Sequence, residues 1–212
     1  MNEFLWQAFV TLFVVIDPFA VAPAFMGLTK NDTPSVKKHI ARKSCLIGVI
    51  LLISFAILGD KLLDAMHISE PAFRMAGGFL LLLAAMEMVV GKNTGFRAQN
   101  ADDASDAAGR DDISVYPLAI PLISGPGAIT STVVLMRQGE MIGYAAQGLL
   151  VLLIILVIYL TYITLRMGDY VMRFLGVTGI NILTRVFGLI LAAFAVQSML
   201  HGLTSVLKAG VG

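Results

Sequence analysis

Two short motifs carry most of the chemistry this sequence offers. Asp17-Pro18 interrupts an apolar stretch at 4–28, and Ser124-Gly125-Pro126-Gly127 interrupts another at 116–136. A proline inside a helix withdraws one backbone donor and clashes with the preceding turn, costing about 3 kcal/mol, and hydrocarbon offers no water to repair the loss. Each motif therefore reads as a helix break, tolerated at depth only where the loosened backbone is buried in protein or lines a cavity. Asp17 followed by Pro18 has the form of an N-cap and the first residue of a second half-helix. The counterpart begins at Pro126 and Gly127 with no carboxylate, leaving bare N–H donors and a positive dipole end suited to an anion. One negative and one positive pole near the midplane suit a zwitterion such as an amino acid. Asp17, Pro18, Ser124, Gly125, Pro126 and Gly127 thus form the candidate substrate site, with Gln197 as a further lining residue. Asp17 and Glu87 are the two carboxylates within apolar stretches, and both are candidates for coupling to a proton or sodium ion. Each also has a plainer role: capping for Asp17, and pairing with Lys92 near a helix end for Glu87.

The elements that must position these residues are membrane spans. Of the 212 residues, 58% are hydrophobic and 14% charged, against about 25% charged in a soluble domain. The mean hydropathy is +0.85. The apolar residues come in blocks of about 20, the length that crosses a bilayer as a helix. The expected spans are 4–28, 40–59, 72–91, 116–136, 144–165 and 182–205. Runs such as 79–83 lack the alternation of a β-barrel strand. An all-α membrane protein of six helices follows. Ala20-Val21-Ala22 imitates a signal-peptidase site, but no basic residue precedes the apolar run, Asp17 interrupts it and Pro23 would follow the cut, so the first span is read as uncleaved.

The two halves resemble each other. Asp17-Pro18 matches Gly125-Pro126 at an offset of 108, and Arg74 with Gly77 matches Arg185 with Gly188 at 111. With three spans per half, the second half enters from the opposite face, which makes 1–91 and 115–212 inverted repeats joined by an acidic cytoplasmic linker at 92–114. Broken helices 1 and 4 then occupy corresponding places, the best sequence pointer to a transporter site. Gly77, Gly78, Gly188, Ala192 and Ala193 are read as helix-contact positions.

The same residues exclude other functions. The 15 basic and 14 acidic residues lie mostly between the apolar blocks, so no basic face exists for nucleic acid. Cys45 is the single cysteine and His39, His67 and His201 are far apart, so no disulfide, metal site or cofactor is expected. No phosphate-binding loop is present, so an ion gradient would drive transport. An intramembrane hydrolase would need Ser124 and His201 together, yet their axial gap is about 10 Å. A non-transporting assembly or regulatory protein is the main alternative, and it would leave the breaks unexplained. Homo-oligomerisation stays open.

Asp17-Pro18 with Pro23, Phe73-Arg74 through Gly78, Pro117 and Pro121 followed by Gly125-Pro126-Gly127, and Arg185 through Gln197 to Gly202 together resemble the MarC family (UPF0056) of six-helix bacterial inner-membrane proteins. The resemblance implies an inner-membrane location and, because some relatives are grouped as neutral amino-acid transporters, transport of small neutral amino acids.

Placing both termini outside puts Lys30, Lys37, Lys38, Arg42, Lys43, Lys92, Arg97, Arg110, Arg166, Arg173 and Arg185 inside and leaves Lys61, Arg74, Arg137 and Lys208 outside. Basic residues favour the cytoplasmic side, so both termini should face the periplasm. Reporters active only in the cytoplasm should stay silent when fused to either end; activity at both ends reverses the orientation.

Overall fold

A computed structural model describes residues 1–90 and 112–210. They form eight helices with no strand among the described residues: α1 Asn2–Ile16, α2 Pro18–Leu28, α3 Pro34–Ala65, α4 Glu70–Val90, α5 Ser114–Ile123, α6 Pro126–Ile142, α7 Tyr144–Arg166 and α8 Gly168–Gly210. Apart from residues 112–114, the expected acidic linker lies outside the described residues.

Five stretches are long and apolar enough to cross a bilayer: Asn2–Leu28, Pro34–Ala65, Glu70–Val90, Tyr144–Arg166 and Gly168–Leu207. The first comprises α1 and α2 in sequence. The stretch read as a fourth span is divided between α5, of 10 residues, and α6, of 17, and neither reaches the length on its own.

Several helices outrun their apolar segments. Helix α3 starts at Pro34, with Thr33 at the N-cap, and runs to Ala65. Hydropathy detects the part that lies in hydrocarbon, whereas the backbone ladder continues through the flanking Lys37, Lys38, Asp60 and Lys61 wherever nothing stops it. Helix α8 begins at Gly168 rather than near 182 and bends at Gly176, whose φ of 63° is open to glycine and strained for most other residues.

The main core is built from α1, α2, α3, α5, α6 and α7, with Leu12, Ile16, Leu52, Leu118, Leu135 and Ile154 fully buried. A second cluster joins Val14 of α1 to Leu81 and Ala85 of α4 and Leu191 and Ala195 of α8. Helix α1 therefore belongs to both. Around the outside, Ile50, Leu58, Phe79, Leu152, Tyr159 and Leu189 are more than half exposed. On a soluble protein such a surface would aggregate; on this one it is the face offered to lipid.

Lipid is as apolar as leucine, so helices associate there by close packing of small residues rather than by a hydrophobic drive. Helices α4 and α8 meet in this way. A Cβ on Gly188 would lie 2.8 Å from Met88 Cβ and 3.0 Å from the Ala85 carbonyl, and one on Gly202 would lie 2.8 Å from the Pro71 carbonyl. Gly78 has the same relation to Ala195 and Met199. Ala193, expected in such a contact, faces outward instead.

The seam predicts an asymmetry between glycines. Gly188→Leu must push two backbones apart and should lower stability by about 1–3 kcal/mol. Gly148→Ala on α7, where a Cβ meets nothing within 4 Å, should raise stability by about 0.5–1 kcal/mol through helix propensity. Thermal unfolding of both variants in detergent checks the pair.

Candidate functional site

The first helix ends because Pro18 has no N–H to offer the Val14 carbonyl and its ring excludes the preceding turn. Asp17 closes α1 by donating its N–H to the Phe13 carbonyl at 2.9 Å, and then takes a left-handed conformation at φ 47°, ψ 71°. That conformation costs most side chains about 1–2 kcal/mol, and aspartate is one of the few residues that visits it routinely. The chain restarts as α2 with Pro18 at its first position. Asp17 caps this helix: Ala20 N–H donates to its Oδ1 at 3.2 Å and to its carbonyl at 3.1 Å, and Val21 N–H donates to the same carbonyl at 3.1 Å. Asp17 has no exposed surface, and Pro18 is buried beside it.

The second interruption is built differently. Helix α5 is wound widely at its end, where Ser124 N–H reaches five residues back to the Ala119 carbonyl at 2.9 Å. Ser124 leaves helical geometry, Gly125 is extended at φ −64°, ψ 169°, and α6 starts at Pro126. Gly125 has no side chain, so the first turn of α6 receives no side-chain cap. The amides of Gly127 and Ala128 stand among the donors that such a turn leaves without intrahelical partners. Ser124 is buried and its hydroxyl donates to the Gly48 carbonyl of α3 at 3.3 Å.

The two interruptions are neighbours. A Cβ on Gly127 would lie 3.3 Å from Val15 Cγ1, so the start of α6 packs on the last turn of α1. Near the other end of the same helix pair, a Cβ on Gly139 would lie 3.4 Å from Phe4 Cζ. The two contacts define an antiparallel register, and that register sets Asp17 level with Gly125. Helix α3 closes another side, since a Cβ on Gly48 would come within 2.8 Å of Ile123 Cγ2 and 3.3 Å of Ser124 Oγ.

The remaining candidates lie elsewhere. Glu87 is half-buried near the end of α4, about 9 Å along that helix from Leu81, the residue that meets Gly127. Gln197 is exposed on α8 and bonds His201, one turn on, at 2.9 Å. Ser124 and His201 thus hold different partners, Gly48 and Gln197.

Residues not singled out from the sequence join the region. Thr130, Ser131 and Thr132 of α6 are all buried. The buried hydroxyls of Thr29, Ser44 and Thr161 bond the carbonyl four residues back, the usual resolution in a helix. Among the described residues, Ser131 Oγ and Thr132 Oγ1 have no hydrogen-bond partner. One turn forward from Gly127 on α6 is Ser131, and one turn back from Val15 on α1 is Thr11, also buried, so the register brings these two to one level. Three successive hydroxyl residues after a Gly-Pro-Gly were the available signal. An apolar groove of about 280 Å³, open to the outside, lies between α1 and α8 and reaches Thr11, with Trp6, Val10, Ile190 and Phe194 among its lining residues.

Charged residues gather at the two ends of α3. At its N-terminal end Lys43 bonds Asp112, just before α5; Lys43 first, and then the Ser114 hydroxyl, hold the Asp112 carboxyl below the usual carboxylate range. Toward its other end Asp60 lies 3.6 Å from Arg137 Nε of α6, which is also 3.6 Å from Glu70 of α4. Arg74 Nε approaches Glu70 to 2.7 Å as an ion pair without the alignment of a hydrogen bond. The pairs of Lys43 with Asp112 and of Asp60 with Arg137, each a quarter or more exposed, contribute about 0–1 kcal/mol apiece, too little to hold the fold.

An all-helical bundle with a lipid-facing apolar surface defines an integral membrane protein. Residues 2–207 match the model of the MarC family, described as integral membrane proteins, and the chain belongs to that family. It is 37% identical over 205 residues to the UPF0056 membrane protein MJ1677 of Methanocaldococcus jannaschii, covering 97% of this chain and 98% of that one. It is 34% identical to the UPF0056 membrane protein YhcE of Escherichia coli, covering 95% and 92%, and 32% identical to YvbG of Bacillus subtilis, covering 96% and 95%. No solved structure matches the chain significantly.

Proposed function

We propose that this protein is an inner-membrane secondary transporter of small neutral amino acids or similar small zwitterions, built as two inverted three-span repeats with both termini outside. The observation that carries the reading is the packing of Gly127 on Val15, which sets the uncapped start of α6 beside the last turn before Asp17. Substrate carboxylate would meet the amides of Gly127 and Ala128, and substrate ammonium would meet the Asp17 carboxylate. Pro18 and Pro126 hold the backbone open, Gly125 leaves room for close approach, and Ser124 sets the wall through Gly48. The partnerless hydroxyls of Ser131 and Thr132 extend a polar lining beyond the amides. Asp17 is the first candidate for coupling to a proton or sodium ion. Glu87, farther along α4, is a second, acting at the inner end of the path. Gln197, directed outward, serves the surface rather than the site.

The test is flux in proteoliposomes holding the purified protein, with neutral amino acids supplied under proton or sodium gradients. Gly125→Asn gives α6 the cap it lacks through a neutral side-chain oxygen that fills the anion position; folding should be unchanged within a few tenths of a kcal/mol while flux is lost. Asp17→Asn still caps α2 but carries no proton, so under proton coupling it should lose gradient-driven accumulation and keep exchange between equal pools. Asp17→Ala should also cost stability, about 0.5–2 kcal/mol. Unaltered coupling in Asp17→Asn removes Asp17 from the mechanism, and full flux in Gly125→Asn removes the anion site.

A further inference from the structure

Helix α3 is fastened to both halves of the interrupted helix that contains Ser124, and the two fastenings have opposite polarity. Near its N-terminal end α3 supplies the cation, Lys43, to Asp112 immediately before α5. Near its C-terminal end it supplies the anion, Asp60, to Arg137 of α6. Lys43 and Asp60 are roughly 25 Å apart along the helix at 1.5 Å per residue, close to the thickness of a hydrocarbon core, so the pairs lie at opposite membrane faces. Between them the contact is close and free of ion pairs: Gly48 receives the Ser124 hydroxyl, and a Cβ on Gly59 would lie 2.7 Å from Val133 Cγ2. The Asp60 end carries a further tie, because Arg137 also faces Glu70 and so draws α4 onto the same junction. All four groups of the two fastenings keep about a quarter or more of their side-chain surface, and at the Asp60 end the contact is an ion pair without a hydrogen bond, with Asp60 Oδ1 itself buried.

We propose that these pairs are two gates over one buried site. Lys43–Asp112 closes the path to Ser124 from one face, and Asp60–Arg137, with Glu70, closes it from the other. With both pairs made, as here, Ser124 is shut off from both sides, consistent with its burial at 2% exposure. Releasing one pair lets α3 swing from the corresponding half-helix about the Gly48–Ser124 contact, while the other pair keeps the opposite face closed. The two-gate scheme takes its purpose from the transport reading above, but its test does not depend on flux.

The test places a thiol at Ser124→Cys in a Cys45→Ala background and labels it with a membrane-impermeant maleimide in sealed vesicles, from each face in turn. With both gates intact the thiol should label slowly from either side. Asp60→Asn should raise labelling about fivefold from one face only, the population shift expected when a pair of this exposure is lost. Lys43→Gln should do the same from the opposite face only. Exchanging the charges of the pair that has no third charged partner, Lys43→Asp with Asp112→Lys, should restore slow labelling from that face. Should Ser124→Cys fold poorly, Ile123→Cys, fully buried at the adjacent position, reports instead. Unchanged rates in both single variants, or equal gains from both faces, overturn the gates. One-sided gains in a protein that moves no substrate would uphold the gates and overturn transport; flux with unchanged labelling would do the reverse.

Discussion

Inside a bilayer every backbone donor and acceptor must find a partner within the protein, and Pro18 and Pro126 each deny one. The two joints respond to that constraint differently. At Asp17 a carboxylate and a left-handed backbone rebuild the lost cap from within, which leaves α2 well started and a charge fixed at the joint. At Gly125 no side chain does so, and the amides opening α6 stay uncapped. Neither joint would be stable facing lipid. The first is buried at Asp17 and Pro18; the second packs on α1 through Gly127 and Val15, with Gly125 half-buried and Pro126 exposed beside that contact.

That requirement also orders the neighbours. Helix α1 has to touch both the main core and the cluster shared with α4 and α8, because Val14 faces one way while Leu12 and Ile16 face the other. Helix α3 has to lie close enough for Gly48 to meet Ser124, which a larger residue at 48 would prevent. Helices α4 and α8 form a tight pair of their own along Gly78, Gly188 and Gly202. Two rigid joints set in a closely packed frame, with weak ion pairs only at its rims, make a body whose ends can loosen before its centre does.

Much of this was legible in the sequence, and the remainder was not for definable reasons. Composition and block length gave an all-α membrane protein, and the spacing of Pro117, Pro121 and Gly125-Pro126-Gly127 supported the family resemblance that the comparison establishes. Helix ends were less readable, since hydropathy marks the part of α3 in hydrocarbon and not the turns that continue to Pro34 and Ala65. The direction of Gln197 was unreadable because one residue of helical rotation, about 100°, separates an inward from an outward side chain. Lys43–Asp112 and Asp60–Arg137 join residues far apart in the chain, and a single sequence carries no signal for such pairs. The idle hydroxyls of Ser131 and Thr132 were visible as residues, but only the packing shows that they lack the usual carbonyl partner.

The central claim is that the two interrupted helices lie side by side in an antiparallel register that brings Asp17 level with Gly125. Disulfide trapping in a Cys45→Ala background tests it directly, with paired substitutions Thr11→Cys and Ser131→Cys one turn from the joints. Mild oxidation should cross-link this pair rapidly, whereas Thr11→Cys with Gly148→Cys of α7 should not cross-link. Rapid trapping of the α7 pair, with none between Thr11 and Ser131, would contradict the register and separate the two joints.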